Sequence, residues 1–179
     1  MKRKRHLPRL DRVNYQGRAC VFWTHTTVAR QTGWLNDQFH TSFRECLLHT
    51  CARYCVSCPI YCIMPDHIHL IWIGQAGESD QLNATAFLRK HIKNKCSTIN
   101  LQDRAHDHVF RERERARDAF RDTCNYVRLN PVRASIVDDW RKYSYIGMMV
   151  AGYPTHSWDS KDPLGAFWRV HNRIVQANP

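Results

Sequence analysis

The chain has 179 residues, 43% hydrophobic and 11% aromatic, with 27 Lys and Arg against 16 Asp and Glu. That length suits one domain with a real core and is short for two, and the apolar share excludes a disordered chain. A formal charge of +11 repels itself unless an anion is near, and nucleic acid is the commonest such partner, ahead of an anionic membrane surface.

No run reaches the roughly 18 apolar residues of a membrane span, so no membrane partner is expected. Met1-Lys2-Arg3-Lys4-Arg5 has no apolar run behind it and does not read as a secretory signal. Eight cysteines in a core-rich chain of this length do not read as a disulfide scaffold. The expectation is reduced thiols and a cytoplasmic protein.

Residues 1–17 are basic, contain Pro8 and Gly17, and read as an arm. Lys2, Arg3, Lys4 and Arg5 are candidates for phosphate contacts, against the alternative of a solvated terminus. Arg18 to Thr27 is apolar and β-branched and predicts a first strand. A loop with Gly33 and Trp34 follows. Asp37 to Tyr54 carries Phe39, Phe43 and Leu47 at helical spacing, with Asn36 or Asp37 as cap. Val56 to Ile73 is the clearest β segment, broken at Pro65-Asp66 into a hairpin or a bulged pair.

Asn83 to Ile99 predicts a second helix with a basic exposed face of Arg89, Lys90, Lys93 and Lys95. Of these, Arg89, Lys90 and Lys93 are candidate DNA contacts. Asp107 to Phe110 is a short strand. Arg115 to Leu129 predicts a third helix ended by Asn130-Pro131, because proline cannot continue the ladder. The remaining stretch carries Trp140, Tyr143 and Tyr145, then a Gly- and Pro-containing tail. No internal repeat is present. This order predicts an α+β fold: an antiparallel sheet with helices packed on one face, plus a late helix.

Two pairs of residues carry chemistry. In His67-Ile68-His69, strand alternation points both imidazoles to one face, and two imidazoles are half of a divalent metal site. That spacing is also common in histidines with no such role. Tyr126 and Asn130 lie one helical turn apart. Asn130 offers a carbonyl oxygen to a hard cation, and Tyr126 a phenol that can act as a nucleophile. The plainer reading is a packed tyrosine and an asparagine at a helix end.

Met64-Pro65-Asp66-His67-Ile68-His69-Leu70 and Asn125-Tyr126-Val127-Arg128-Leu129-Asn130-Pro131-Val132-Arg133-Ala134 together resemble the single-tyrosine HUH (His-hydrophobe-His) transposases, and most closely the REP-associated tyrosine transposases. Asp107-His108-Val109-Phe110-Arg111 resembles the segment that precedes the catalytic helix in that family. The resemblance spans about residues 18–147. It implies a ferredoxin-like or RRM-like sheet with a C-terminal catalytic helix. His67, His69 and Asn130 would bind Mg²⁺ or Mn²⁺, and Tyr126 would be the nucleophile; Arg133, in the second block, is a further candidate DNA contact. The implied substrate is single-stranded DNA with hairpins, such as repetitive extragenic palindromes. The implied activity is endonuclease and strand transferase through a 5′-phosphotyrosyl intermediate. Relatives leave monomer and homodimer both open.

The expected organisation is therefore a basic arm at 1–17, one catalytic domain at 18–147, and a tail at 148–179 of no assigned role. A rival is a non-catalytic nucleic-acid-binding module on an RRM-like sheet. Trp23, Trp34 and Trp72 could stack bases but are expected in packing. Cys51, Cys55, Cys58 and Cys62 could hold a structural zinc, but packing is the expected role.

Overall fold

The structure is a computed structural model that describes residues 9–96, 98–111, 114, 118–154 and 157–177. Lys2, Arg3, Lys4 and Arg5 lie outside the described residues. So do most of the residues that the sequence pattern assigns to the start of the third helix.

The chain runs through strand β1 (Cys20–Thr26), helix α1 (Asp37–Arg53), strands β2 (Val56–Met64) and β3 (His67–Gly74), helix α2 (Gln81–Lys95) and strand β4 (His106–Val109). Helix α3 (Ala119–Arg128), the single turn α4 (Asn130–Arg133), strand β5 (Ile146–Met149) and helix α5 (Pro163–Ala177) complete it. The strands form one sheet in the order β4-β1-β3-β2-β5, and every pairing is antiparallel. The fold is α+β on a ferredoxin-like β-α-β-β-α-β path.

Local chemistry explains the boundaries. Asn36 caps α1 by accepting from the Phe39 N–H, and Asp80 caps α2 by accepting from the Asn83 N–H. The second helix thus starts two residues before the pattern suggests and ends four earlier, at Lys95. Pro65-Asp66 is a two-residue hairpin turn, with Met64 opposite His67. Pro59 sits in β2, between β3 and β5, where both ladders shift register. A bulge is where an inner strand tolerates a residue without an N–H. The bulge also flips the alternation, so Cys58 and Tyr61 face one side while Ile60, Cys62 and Met64 face the other.

The sheet is covered on both faces. On one, Val21, Trp23, Ile68, Leu70 and Trp72 pack with Phe39, Phe43 and Leu47 of α1 and Leu88 and Ile92 of α2. On the other, Cys20, Ile71 and Ile73 pack with Cys124 and Val127 of α3 and with Phe167 and Val170 of α5. The C-terminal stretch is therefore part of the second core. Residue 147 falls inside β5, and the buried Trp158 donates from Nε1 to the Pro59 carbonyl at 2.8 Å.

The described part of the arm is packed as well. Arg9 lies over the Trp23 ring, and the buried Tyr15 hydroxyl donates to Asp107 at 2.5 Å. The arm then crosses β3 so closely that a Cβ on Gly74 would stand 1.8 Å from the Gly17 carbonyl oxygen, so only glycine fits there.

Trp23, Trp34 and Trp72 are all buried, which assigns them to packing. Cys51 and Cys58 belong to the first core and Cys62 to the second, so these thiols do not converge on one point. Burial pushes the thiols of Cys51, Cys58 and Cys62 well up from their ordinary value, as befits packed neutral groups.

Candidate active site

Because β3 alternates, His67 and His69 share the second face with Ile71 and Ile73, and α3 packs on that same face. The Nε2 atoms of the two imidazoles are 3.0 Å apart. The Nδ1 of His67 is 2.6 Å from Asp66 Oδ1, and Asp66 Oδ2 accepts from Arg30 at 2.9 Å. The Nδ1 of His69 is 2.9 Å from the hydroxyl of Thr24, its cross-strand partner on β1. Both rings thus turn Nδ1 toward a protein partner and Nε2 toward each other.

Electrostatics favour neutral donors. Burial, then the neighbouring His67 and Arg30, pushes His69 down to about 3. Its imidazole keeps a lone pair at neutral pH, as a metal ligand requires. Burial pulls the Asp66 carboxyl up, but hydrogen bonds from His67 and Arg30 outweigh it and hold Asp66 below the usual carboxylate range.

Tyr126 comes from α3 to the same place. Its ring centroid is 5.7 Å from that of His69 and 6.3 Å edge-on from that of Phe22, and its side is 38% exposed. Cys124 and Val127 on the buried side of α3 anchor the helix, which leaves Tyr126 at the edge between core and solvent. Arg133 lays its guanidinium 4.9 Å from the centre of the Tyr126 ring, within cation–π range.

The helix ends just before Asn130-Pro131, as the sequence pattern suggests, but a further helical turn follows at once. Leu129 caps α3, and Asn130 opens α4 with Pro131 in its first turn, where a missing N–H is harmless. Tyr126 and Asn130 therefore stand on either side of a one-residue break. Asn130 is half-buried.

The pair of imidazoles suits a divalent ion by donor chemistry and by the convergence of two Nε2 atoms. Among the described residues no three of His, Cys, Asp and Glu cluster about one point. The sequence motif offers the carboxamide of Asn130 as a further donor.

The other candidates lie elsewhere. Helix α2 covers the opposite face of the sheet, so Lys90 and Lys93, both exposed, stand away from the histidines. Arg89 departs from the expected exposed face: it is half-buried and donates to the Gln102 and Asp103 carbonyls, tying α2 to the stretch before β4. Thr24, Phe22, Asp66 and Arg30 were not legible as site residues. A carboxylate beside the histidine pair was the one available signal, but Asp66 reads first as a turn residue beside Pro65. Thr24 and Phe22 join the site only through strand pairing.

No protein-family model matches the chain, and no curated protein matches it. A solved structure of a REP-associated tyrosine transposase bound to a REP hairpin is similar to it, with a TM-score of 0.64 and 20% identity over 82% of each chain. At that identity the likeness establishes a shared fold, an antiparallel sheet carrying helices, and the fold is where the comparison ends.

Proposed function

We propose that the protein is a DNA-cleaving and DNA-joining transposase that uses Tyr126 as its nucleophile on single-stranded DNA with hairpins. One observation carries this reading. Two histidines on β3 and a tyrosine on α3, 57 residues away along the chain as numbered, come together on one face, with Nε2 atoms 3.0 Å apart and the Tyr126 ring 5.7 Å from His69. The REP hairpin bound by the structural neighbour and the charge of +11 support DNA as the partner.

In this reading the phenolic oxygen of Tyr126 attacks phosphorus. Its proton leaves to solvent. The phosphorus–O3′ bond breaks, and the freed O3′ takes up a proton. The product is a 5′-phosphotyrosyl enzyme, whose bond a 3′-hydroxyl of another strand can attack to join the strands. His67, His69 and Asn130 would hold Mg²⁺ or Mn²⁺, which neutralises charge on the scissile phosphate when bound. Arg133 steadies the Tyr126 ring and brings a cation to the phosphate. The rings of Phe22 and His69 meet the Tyr126 ring edge-on.

The test is incubation with end-labelled single-stranded hairpin DNA and Mn²⁺, followed by denaturing electrophoresis. The expected result is a covalent protein–DNA adduct lost in EDTA. Binding of the same DNA with no adduct in any divalent ion would favour the non-catalytic binding module instead.

A further inference from the structure

Each imidazole has two nitrogens, and a neutral ring carries its hydrogen on only one. Where that hydrogen sits follows from the partners. His67 faces the Asp66 carboxylate at 2.6 Å. An ionised carboxylate only accepts, so Nδ1 of His67 must donate, and in the neutral ring its Nε2 then presents a lone pair. Asp66 is itself immobilised. Arg30 donates to its carboxylate at 2.9 Å, while the Thr27 N–H and hydroxyl donate to its carbonyl at 3.0 and 2.9 Å. Arg30 reaches it from a short 3-10 turn in which Ala29 and Arg30 both take positive φ, 52° and 56°. Two such non-glycine residues in a row cost free energy that the surrounding contacts must offset.

His69 is placed differently. Its Nε2 points at the His67 lone pair from 3.0 Å. Two lone pairs cannot face each other at that distance, so without a cation the Nε2 of His69 carries the hydrogen and donates to His67. Its Nδ1 then accepts from the Thr24 hydroxyl at 2.9 Å. A cation between the rings needs both lone pairs, so His69 must move its hydrogen to Nδ1. A hydroxyl can answer, because it donates in the first state and accepts in the second.

We propose that Asp66 and Thr24 are positioning residues of unlike kind: the Asp66 carboxylate locks His67 in the tautomer that ligates, and the Thr24 hydroxyl lets His69 exchange tautomers when a divalent cation binds. This rests on the metal-binding reading of the histidine pair given above. The asymmetry has a use. The pair is internally hydrogen-bonded before the cation arrives, so the two buried nitrogens are satisfied in both states.

Long-range ¹H–¹⁵N spectra of the imidazoles test this without any DNA. Metal-free protein should show His67 hydrogenated on Nδ1 and His69 on Nε2. Titration with Mg²⁺ should move the His69 hydrogen to Nδ1 and leave His67 unchanged. Thr24→Val keeps the branched shape but removes the hydroxyl, and it should weaken Mn²⁺ binding about tenfold or more, with Thr24→Ser returning it to within about threefold. Asp66→Ala should weaken binding similarly and release His67 to a mixture of tautomers. A doubly hydrogenated His67, a His69 already on Nδ1 without metal, or a Thr24→Val variant that binds Mn²⁺ as the parent does would each overturn the proposal. If the metal-free tautomers are as stated but no divalent ion binds, the switch falls together with the metal role, whereas a cleavage failure with the tautomer exchange intact would sink only the transposase reading.

Discussion

On one face of β3, Ile68, Leu70 and Trp72 are sealed beneath α1 and α2; on the other, His67 and His69 begin a row that continues as Ile71 and Ile73 beneath α3 and α5. The first face is apolar from end to end of that strand. The second changes character within one strand, from a packed core at the Ile73 end to a polar cluster at the hairpin end. Strand alternation sends alternate residues of one strand to the two faces, and what covers each face differs as well. Helix α3 seals the core with Cys124 and Val127 and holds Tyr126 out at the boundary. A site placed there is anchored by packing on one side and reaches solvent at Tyr126 on the other. Substitutions at the polar, hairpin end of the second face should therefore alter chemistry more than stability, and substitutions on the first should do the reverse.

The largest expected effect is at Tyr126. Tyr126→Phe should abolish the covalent DNA adduct if Tyr126 is the nucleophile, as proposed. The melting free energy should change by about 1 kcal/mol or less, because the lost hydroxyl is on a partly exposed ring. An adduct of undiminished yield from this variant would show that the nucleophile lies elsewhere. His67→Ala should likewise stop cleavage while leaving most DNA affinity in place.

Leu70→Ala, on the sealed face, should cost about 2–5 kcal/mol in urea denaturation through lost burial and a cavity. The fraction that stays folded should still form the adduct. Loss of adduct in proportion greater than loss of fold would mean that the two faces are coupled.

His25, on the first face, gives a pH signature. Burial, then the charges of Arg89 and Arg9, pushes its imidazole down to about 3 from the ordinary 6.5. Between those values the unfolded chain binds a proton that the folded protein refuses, so stability is full above about pH 6.5 and falls on acidification toward pH 3. The slope is up to about 1.4 kcal/mol per pH unit for one such group. His25→Phe should make the acid limb of the stability curve shallower but not flat, because His40, His69 and His171 are lowered as well. Identical limbs for variant and parent would assign the acid sensitivity to other groups.

The smallest expected effect separates the two faces by charge. Arg133→Ala should weaken single-stranded DNA binding by about tenfold, as for a lost charged contact. Lys90→Gln with Lys93→Gln should weaken it by less than about threefold. Those lysines are exposed on the helix that covers the opposite face of the sheet from the site, where salt screens their charge. A larger loss from the lysine pair would place DNA on the α2 side.

Several parts of this protein were legible from the amino-acid order alone. The apolar run from Val56 to Ile73 specified β structure, and Pro65-Asp66 specified the break within it. Asn36 marked the start of α1. The His67-Ile68-His69 spacing required that the two imidazoles share a face. These are local properties: they depend on neighbours within one helical turn or one strand, which the sequence lists in order. Other features depended on contacts between distant segments. Thr24 meets His69 through the β1–β3 register, and Tyr126 meets His69 because α3 docks on that face and not the other. Helix α5 went unread because its stretch gains meaning only from Phe167 and Val170 entering the second core. Arg89 was expected in solvent, yet it is drawn inward by carbonyls of residues 102 and 103. Helical and strand periodicity say which side chains share a surface but not which surface is buried, or against what. That choice belongs to the free energy of packing the whole chain, and only the tertiary structure records it.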